Sequence, residues 1–321
     1  MPSQSDLRFT FSVGNESFEV VEFTLHEALS ETFHLAVDLA SANPAIDFGQ
    51  VLGESAIARV LRPDLAHSPE ACPALVQLAA PGETPAARYL ELGAHYALDD
   101  LTRNKRYVCG WLLSPQPLAA VADHLVSQCH ATAPGRGRTL SPWYEPIRLE
   151  LLIAALRSQI AEVLGPISAW LCPTSWGSFT VLRGSTVPQQ RELPPLVRDT
   201  QHLAPLISDF LGVWRHALKR PPRYAPWCWK GTSLLPPQAG THAFRLVRDA
   251  RDRKLSDSHD IISLCLHRVF IHPHLPQHPD IQRDIAQAAA GNLSLQARFN
   301  AYDDAAWARI ATSLPRAENY S

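Results

Sequence analysis

Four histidines crowd the stretch HRVFIHPHLPQHPD: His267, His272, His274 and His278. Imidazoles at such spacing can hold a transition metal, and a metal could serve a hydrolase, so a hydrolase or metal enzyme built on the His272 to His278 cluster is one reading. Proline follows two of these histidines and the stretch directly succeeds a helical pattern. Histidines meeting the exposed carbonyls of that helix end account for it without a metal. PGRGR, 134 to 138, could offer backbone amides and two arginines to an anion, or simply be a solvated loop. WYEP, 143 to 146, sets Glu145 beside two aromatics at a helix start, where the helix dipole favours a carboxylate. No second carboxylate can be paired with it for acid–base work. The chain has no GxSxG elbow, no GxxxxGK(S/T) loop, no HExxH and no CxxC, so the expectation is no catalytic residue, no cofactor and no metal.

The elements that must position these residues fall into three regions. In the first, residues 1–60, Phe9, Phe11 and Val13 alternate up to the turn pair Gly14-Asn15, and Phe18 and Val20 resume beyond it, predicting a hairpin. Val21, Phe23 and Leu25 then change parity, which predicts a bulge; Phe33, Leu35, Val37 and Leu39 predict a further strand. About 60 residues of half-exposed strands make a poor domain alone.

The second region, 61–187, reads as a mixed α/β lobe: a buried strand at Ala74–Ala79, a helix near Ala87–Asp100 and a continuous apolar strand at Tyr107–Ser114. Helices over 117–130 and 147–164 follow, then two strands around the turn Pro173 to Gly177. The third, 188–321, is helical. Leu203, Ile207, Phe210 and Trp214 share one face. Ile261, Cys265 and Val269 share another, with Ser256 and Ser258 as candidate caps, and Pro279 and Gly291 bracket a third helix. The aromatic stretch RPPRYAPWCWKG, 220 to 231, reads as a loop filling a gap or forming a contact surface. The fold class expected is α+β: a short β segment, a mixed α/β lobe and a C-terminal all-α lobe.

With 46% hydrophobic and 19% charged residues over 321 positions, the chain has the apolar content of a globular protein. No run of about 18 apolar residues is present and the first 20 positions carry charges, so neither a membrane span nor a secretory leader is expected, and the chain reads as cytoplasmic. Six scattered cysteines suit reduced, buried thiols. Residues 1–60 hold nine acids against two arginines, a net of −7, and the remainder carries +5. That asymmetry suggests two pieces of different origin, and the diluted basic excess argues against nucleic acid.

Two resemblances go further. The segment LRFTFSVGNESFEVVEFTLHEALSETFHLAVDLASANPAIDFGQVLGESA resembles the N-terminus of VgrG, the type VI secretion spike protein, whose first domain is related to a phage tail-hub β-barrel. From Cys72 onward, CPALVQL, CGWLLSPQPLAAVADHL, LSPWYEPIRLELLIAAL, LGPISAWLCP and HDIISLCLHRVFIHPHLPQHPDI are similar to type VI effector adaptors, also called effector chaperones. Membership would imply a cytoplasmic protein, a monomer when alone, that holds a toxic effector and helps load it onto VgrG, with no enzymatic activity. Where such adaptors read Leu-Arg-aromatic-aromatic-Asp-Pro-Arg, this chain has Leu140-Ser141-Pro142-Trp143-Tyr144-Glu145-Pro146-Ile147, lacking both arginines. Trp143, Tyr144, Glu145 and Arg148, at that motif, are the candidate partner-binding residues. The VgrG-like start is either a fusion remnant or a docking element that adds strands to a sheet. A structural spike component that joins a VgrG trimer is the alternative function.

Overall fold

The computed structural model describes residues 10–13, 16–26, 34–40, 57–79, 82–102, 106–133, 140–185, 193–220 and 234–315. The chain divides into two compact units, 1–80 and 81–321. The loops predicted at 134–138 and 220–231 fall almost wholly outside the described residues, as do Phe9 and Phe33.

In the first unit, β1 (Thr10–Val13), β2 (Glu16–His26) and β3 (His34–Ala40) form an antiparallel meander. Val13 stands opposite Glu16, as the hairpin reading requires. The β2–β3 register slips between Val20 and Glu22, so the parity change at Val21 is a bulge, with Val21 exposed and Phe18 buried. Chemistry of the alternating pattern thus translates directly into register. A second, two-stranded sheet pairs β4 (Ile57–Arg59) with β5 (Ala74–Val76), Ile57 opposite Val76, across the residue-60 boundary drawn from sequence. The strand predicted as buried at Ala74–Ala79 is shorter and half exposed, because a two-stranded ribbon has one face to bury; what seals it is Val60 and Cys72.

The second unit opens with α1 (Ala87–Asp99), then β6 (Trp111–Leu113), α2 (Leu118–Ala131), α3 (Pro146–Leu156), the short α4 (Ile160–Val163), β7 (Ala169–Pro173) and β8 (Phe179–Arg183). Strands β6, β7 and β8 form one antiparallel sheet in that order. Alternation sends Trp170, Cys172 and Leu182 inward and Trp111, Leu113, Leu171 and Val181 to the other face. The continuous strand predicted at Tyr107–Ser114 shrinks to three residues, because Gly110 has φ of +132° and a Cβ there would strike the Leu171 carbonyl oxygen. The helix predicted over 147–164 breaks at Arg157, φ +53°, a kink that apolar spacing hides because both halves stay on the core.

Beyond lie α5 (Pro195–Lys219), α6 (Ala239–Asp252), α7 (Ser258–Phe270), α8 (Pro279–Ala289), α9 (Leu295–Asn300) and α10 (Asp304–Ser313). Pro195 opens α5 at a position where a missing N–H costs nothing, and Gly291, φ +76°, closes the turn after α8. The cap of α7 is Asp257, whose Oδ1 accepts from the amides of His259 and Asp260, in place of the serines expected from sequence. One apolar core joins Ile207, Phe210, Trp214, Val247, Ile261, Leu264 and Phe299, and Leu151 of α3 enters it, so the α/β region and the helices share packing.

Candidate partner-binding site

Trp143 and Tyr144 lie inside the protein. Trp143 has no exposed surface; its Nε1 donates to the Leu125 carbonyl at 3.1 Å and its ring meets Trp170 edge-on at 5.5 Å. It therefore pins the inner face of the sheet to α2, and burying so large a ring contributes about 3 kcal/mol. Tyr144 is 4% exposed. Glu145 and Arg148 reach the surface in part and pair at 3.1 Å. Arg148 also donates to the Gln201 carbonyl at 2.9 Å, while the Gln201 side chain spans Ser141 Oγ at 2.7 Å and the Arg148 carbonyl at 3.1 Å. This stitching holds the segment before α3 against α5. Of the four candidates, Glu145 and Arg148 can meet a partner from where they stand, and Trp143 and Tyr144 act as their support.

The histidines separate. His267 is buried between Phe299 (4.7 Å) and Trp307 (5.0 Å), with Nδ1 2.7 Å from the Ser263 carbonyl, and burial pushes its pKa down to about 4. His272 Nδ1 accepts from the His274 amide at 3.1 Å, and His278 Nδ1 accepts from the Asp280 amide at 3.2 Å, capping α8. These nitrogens organise the backbone of the turn between α7 and α8. Among the described residues, no group of three His, Cys, Asp or Glu side chains is placed to hold a metal ion.

Sequence reasoning missed Glu150. It lies on α3 with 8% exposure, and its carboxylate accepts from the Ser175 amide (2.9 Å), Ser175 Oγ (3.1 Å) and the Gly240 amide (3.1 Å) at the start of α6. One side chain thereby ties α3 to the β7–β8 turn and caps a third element. Burial pushes its pKa upward, opposed by those hydrogen bonds and by Arg106. The signal was present as an acid in the apolar helix PIRLELLIAAL, where an unpaired carboxylate is costly. A Cβ at Gly240 would run into Glu150 Oε1 and push the carboxylate off its donors, so glycine suits this position.

Two surface features were also unread. The outer face of the sheet is apolar and open: Leu113 is 67% exposed, Val181 56% and Leu171 38%. Helix α1 covers part of it, Gly93 lying against the Trp111 ring, yet α1 itself leaves Tyr89, Leu92, Tyr96 and Leu98 exposed and buries Ala97. Apolar area of this kind, gathered on one helix and one sheet face, marks interaction surfaces. The thiols, in contrast, are withdrawn: Cys109, Cys172 and Cys265 are pushed up to about 12 by burial, and the described cysteines are all free.

Comparison with known proteins bears on the N-terminal segment. Over 53 residues, 16% of this chain, it is 57% identical to the type VI secretion system spike proteins VgrG2a and VgrG2b of Pseudomonas aeruginosa. The chain spans only 6% and 5% of the length of these two relatives. No family model matches the chain, and no solved structure does.

Proposed function

We propose that this chain is a non-enzymatic type VI secretion adaptor, which binds a toxic effector and helps load it onto the VgrG spike. The observation that carries this reading is the 57% identity of a short N-terminal segment to VgrG spike proteins, joined in one polypeptide to a second compact unit. A type VI association follows from that segment. The adaptor role draws further support from the open apolar surface of α1 and the β6–β8 sheet, which suits a polypeptide ligand held by apolar anchors with a polar rim. Glu145 and Arg148, partly exposed beside α5, are candidate polar contacts in their own right.

Copurification of the full chain with VgrG and with the products of adjoining genes tests the reading. Stable retention of VgrG together with a toxin is the expected result; retention of neither removes it. A structural spike component, which the same VgrG-like segment would also serve, predicts instead that the chain enters VgrG trimers stoichiometrically, whereas the adaptor is a monomer when alone. Sedimentation of the purified chain separates the two.

A further inference from the structure

Two arginines from distant parts of the second unit converge on the β7–β8 turn. Arg106, in the segment after α1, donates through Nη1 to the Thr174 carbonyl at 3.3 Å, and Arg215, on α5, donates through Nη2 to the Ser175 carbonyl at 3.4 Å. Consecutive carbonyls bring the two guanidinium groups into one neighbourhood. Both side chains are half-buried. A guanidinium carries five N–H donors in a planar fork, and these two long bonds use one donor from each.

The nearest acids do not complete them. Glu150 directs both oxygens to Ser175 and Gly240, and Asp100 Oδ2 accepts from the amides of Tyr107 and Val108. Among the described residues, no carboxylate lies within ion-pair distance of either guanidinium. Nor are the unused nitrogens sealed away, since neither arginine is among the described residues with a buried, unpartnered polar atom. Both guanidinium groups are partly exposed and partly desolvated, where a charge-assisted hydrogen bond is worth more than at an open surface. Burial and the charge of Arg106 together push the Arg215 pKa down to about 10, with Glu150 opposing, so the protein's own acids leave its charge incompletely offset.

We propose that Arg106 and Arg215 form a receptor for a single carboxylate, supplied by an acidic side chain of a bound polypeptide. The fork geometry fits planar, bidentate recognition of a carboxylate. Glu150 and Asp100 stand close enough to offset part of the Arg106 charge, so the pair presents less than two full positive charges, which one carboxylate can balance. The rim is apolar: Leu101 and Leu234 flank Gly177 in the same turn, and Leu234 and Tyr107 are exposed, as suits an amino-acid side chain better than a free inorganic ion. The carboxylate site stands without the adaptor reading; its polypeptide source rests on that reading.

The test uses the full chain and a probe with one carboxylate, N-acetylglutamate N-methylamide, followed through the arginine Nε–Hε resonances. Arg106 and Arg215 are assigned by their loss in Arg106→Lys and Arg215→Lys. The expected result is a saturable shift of both resonances with the glutamate probe, none with the glutamine counterpart, and at least tenfold weaker binding of sulfate at matched ionic strength. In Arg215→Gln, shown folded by its near-ultraviolet circular dichroism, the Arg106 response to the probe weakens at least tenfold. A response equal for the glutamine probe, one indistinguishable from that of surface arginines, or tighter binding of sulfate overturns the proposal. No effector or VgrG is present, so failure here is distinct from failure of the adaptor reading.

Discussion

His267 gives the sharpest stability prediction. Its folded pKa of about 4 lies well below the ordinary value of 6.5, because the ring is enclosed by Phe299 and Trp307 and burial disfavours the charged form. A depressed folded pKa means that the unfolded chain binds the proton first as pH falls. The neutral-ring stability is fully present above pH 6.5, declines as pH drops toward 4, and is then exhausted. The whole shift corresponds to roughly 3 kcal/mol, of which about 2 kcal/mol is lost between pH 7.5 and pH 5. Urea unfolding at those two pH values, for the parent and for His267→Phe, measures it. His124, His242 and His272 also have lowered pKa values and titrate in both proteins, so the difference between their pH dependences isolates His267. The variant is expected to lose about 1 kcal/mol at pH 7.5 through the bond to Ser263, and to show about 2 kcal/mol less loss on acidification. Identical pH dependence in both proteins would refute the enclosed-ring argument.

Other perturbations test other parts of the structure. Gly240→Ala should destabilise by about 1–3 kcal/mol, since the new methyl displaces a buried carboxylate from its donors, and Glu150→Ala should not add to it fully in a double-mutant cycle. Trp143→Ala should cost about 3–5 kcal/mol in denaturant melts, a loss too large for a surface residue. Removing the α7 cap with Asp257→Ala should cost about 1 kcal/mol. Cys109, Cys172 and Cys265 should resist alkylation at pH 8 in the native protein and react at once in denaturant.

What was readable from sequence followed from period. The bulge at Val21 was visible because a strand that changes parity must slip its register, and β2 does so there. Helical spacing outlined α2, α5 and α7, and the proline and glycine at its ends outlined α8, while α6, α9 and α10 went unread. Period carries no information on depth, however. The apolar runs at Ala74–Ala79 and Tyr107–Ser114 read as buried strands, yet their depth depends on how many strands lie beside them and which face is covered. The candidate site fared similarly. The residues of WYEP were named for their place in the resembled motif, but aromatic ring area serves the core equally well, and Trp143 went inward to meet Trp170. The partners of Glu150, Gln201 and the Arg106–Arg215 pair were illegible because they are distant in sequence, 25 to 90 residues away in the case of Glu150. Only the fold brings them together.

The adaptor reading is tested most directly by sedimentation of the purified chain mixed with VgrG and with a toxin recovered by copurification, in the parent and in a Leu171→Asp, Val181→Asp variant. Both substitutions lie on the exposed sheet face, and because the two carboxylates stand directly opposite each other in β7 and β8, near-ultraviolet circular dichroism must first show the variant folded. The account predicts a complex of chain, toxin and VgrG in the parent and loss of the toxin alone in the variant. A parent chain that sediments alone in the presence of both proteins would contradict it.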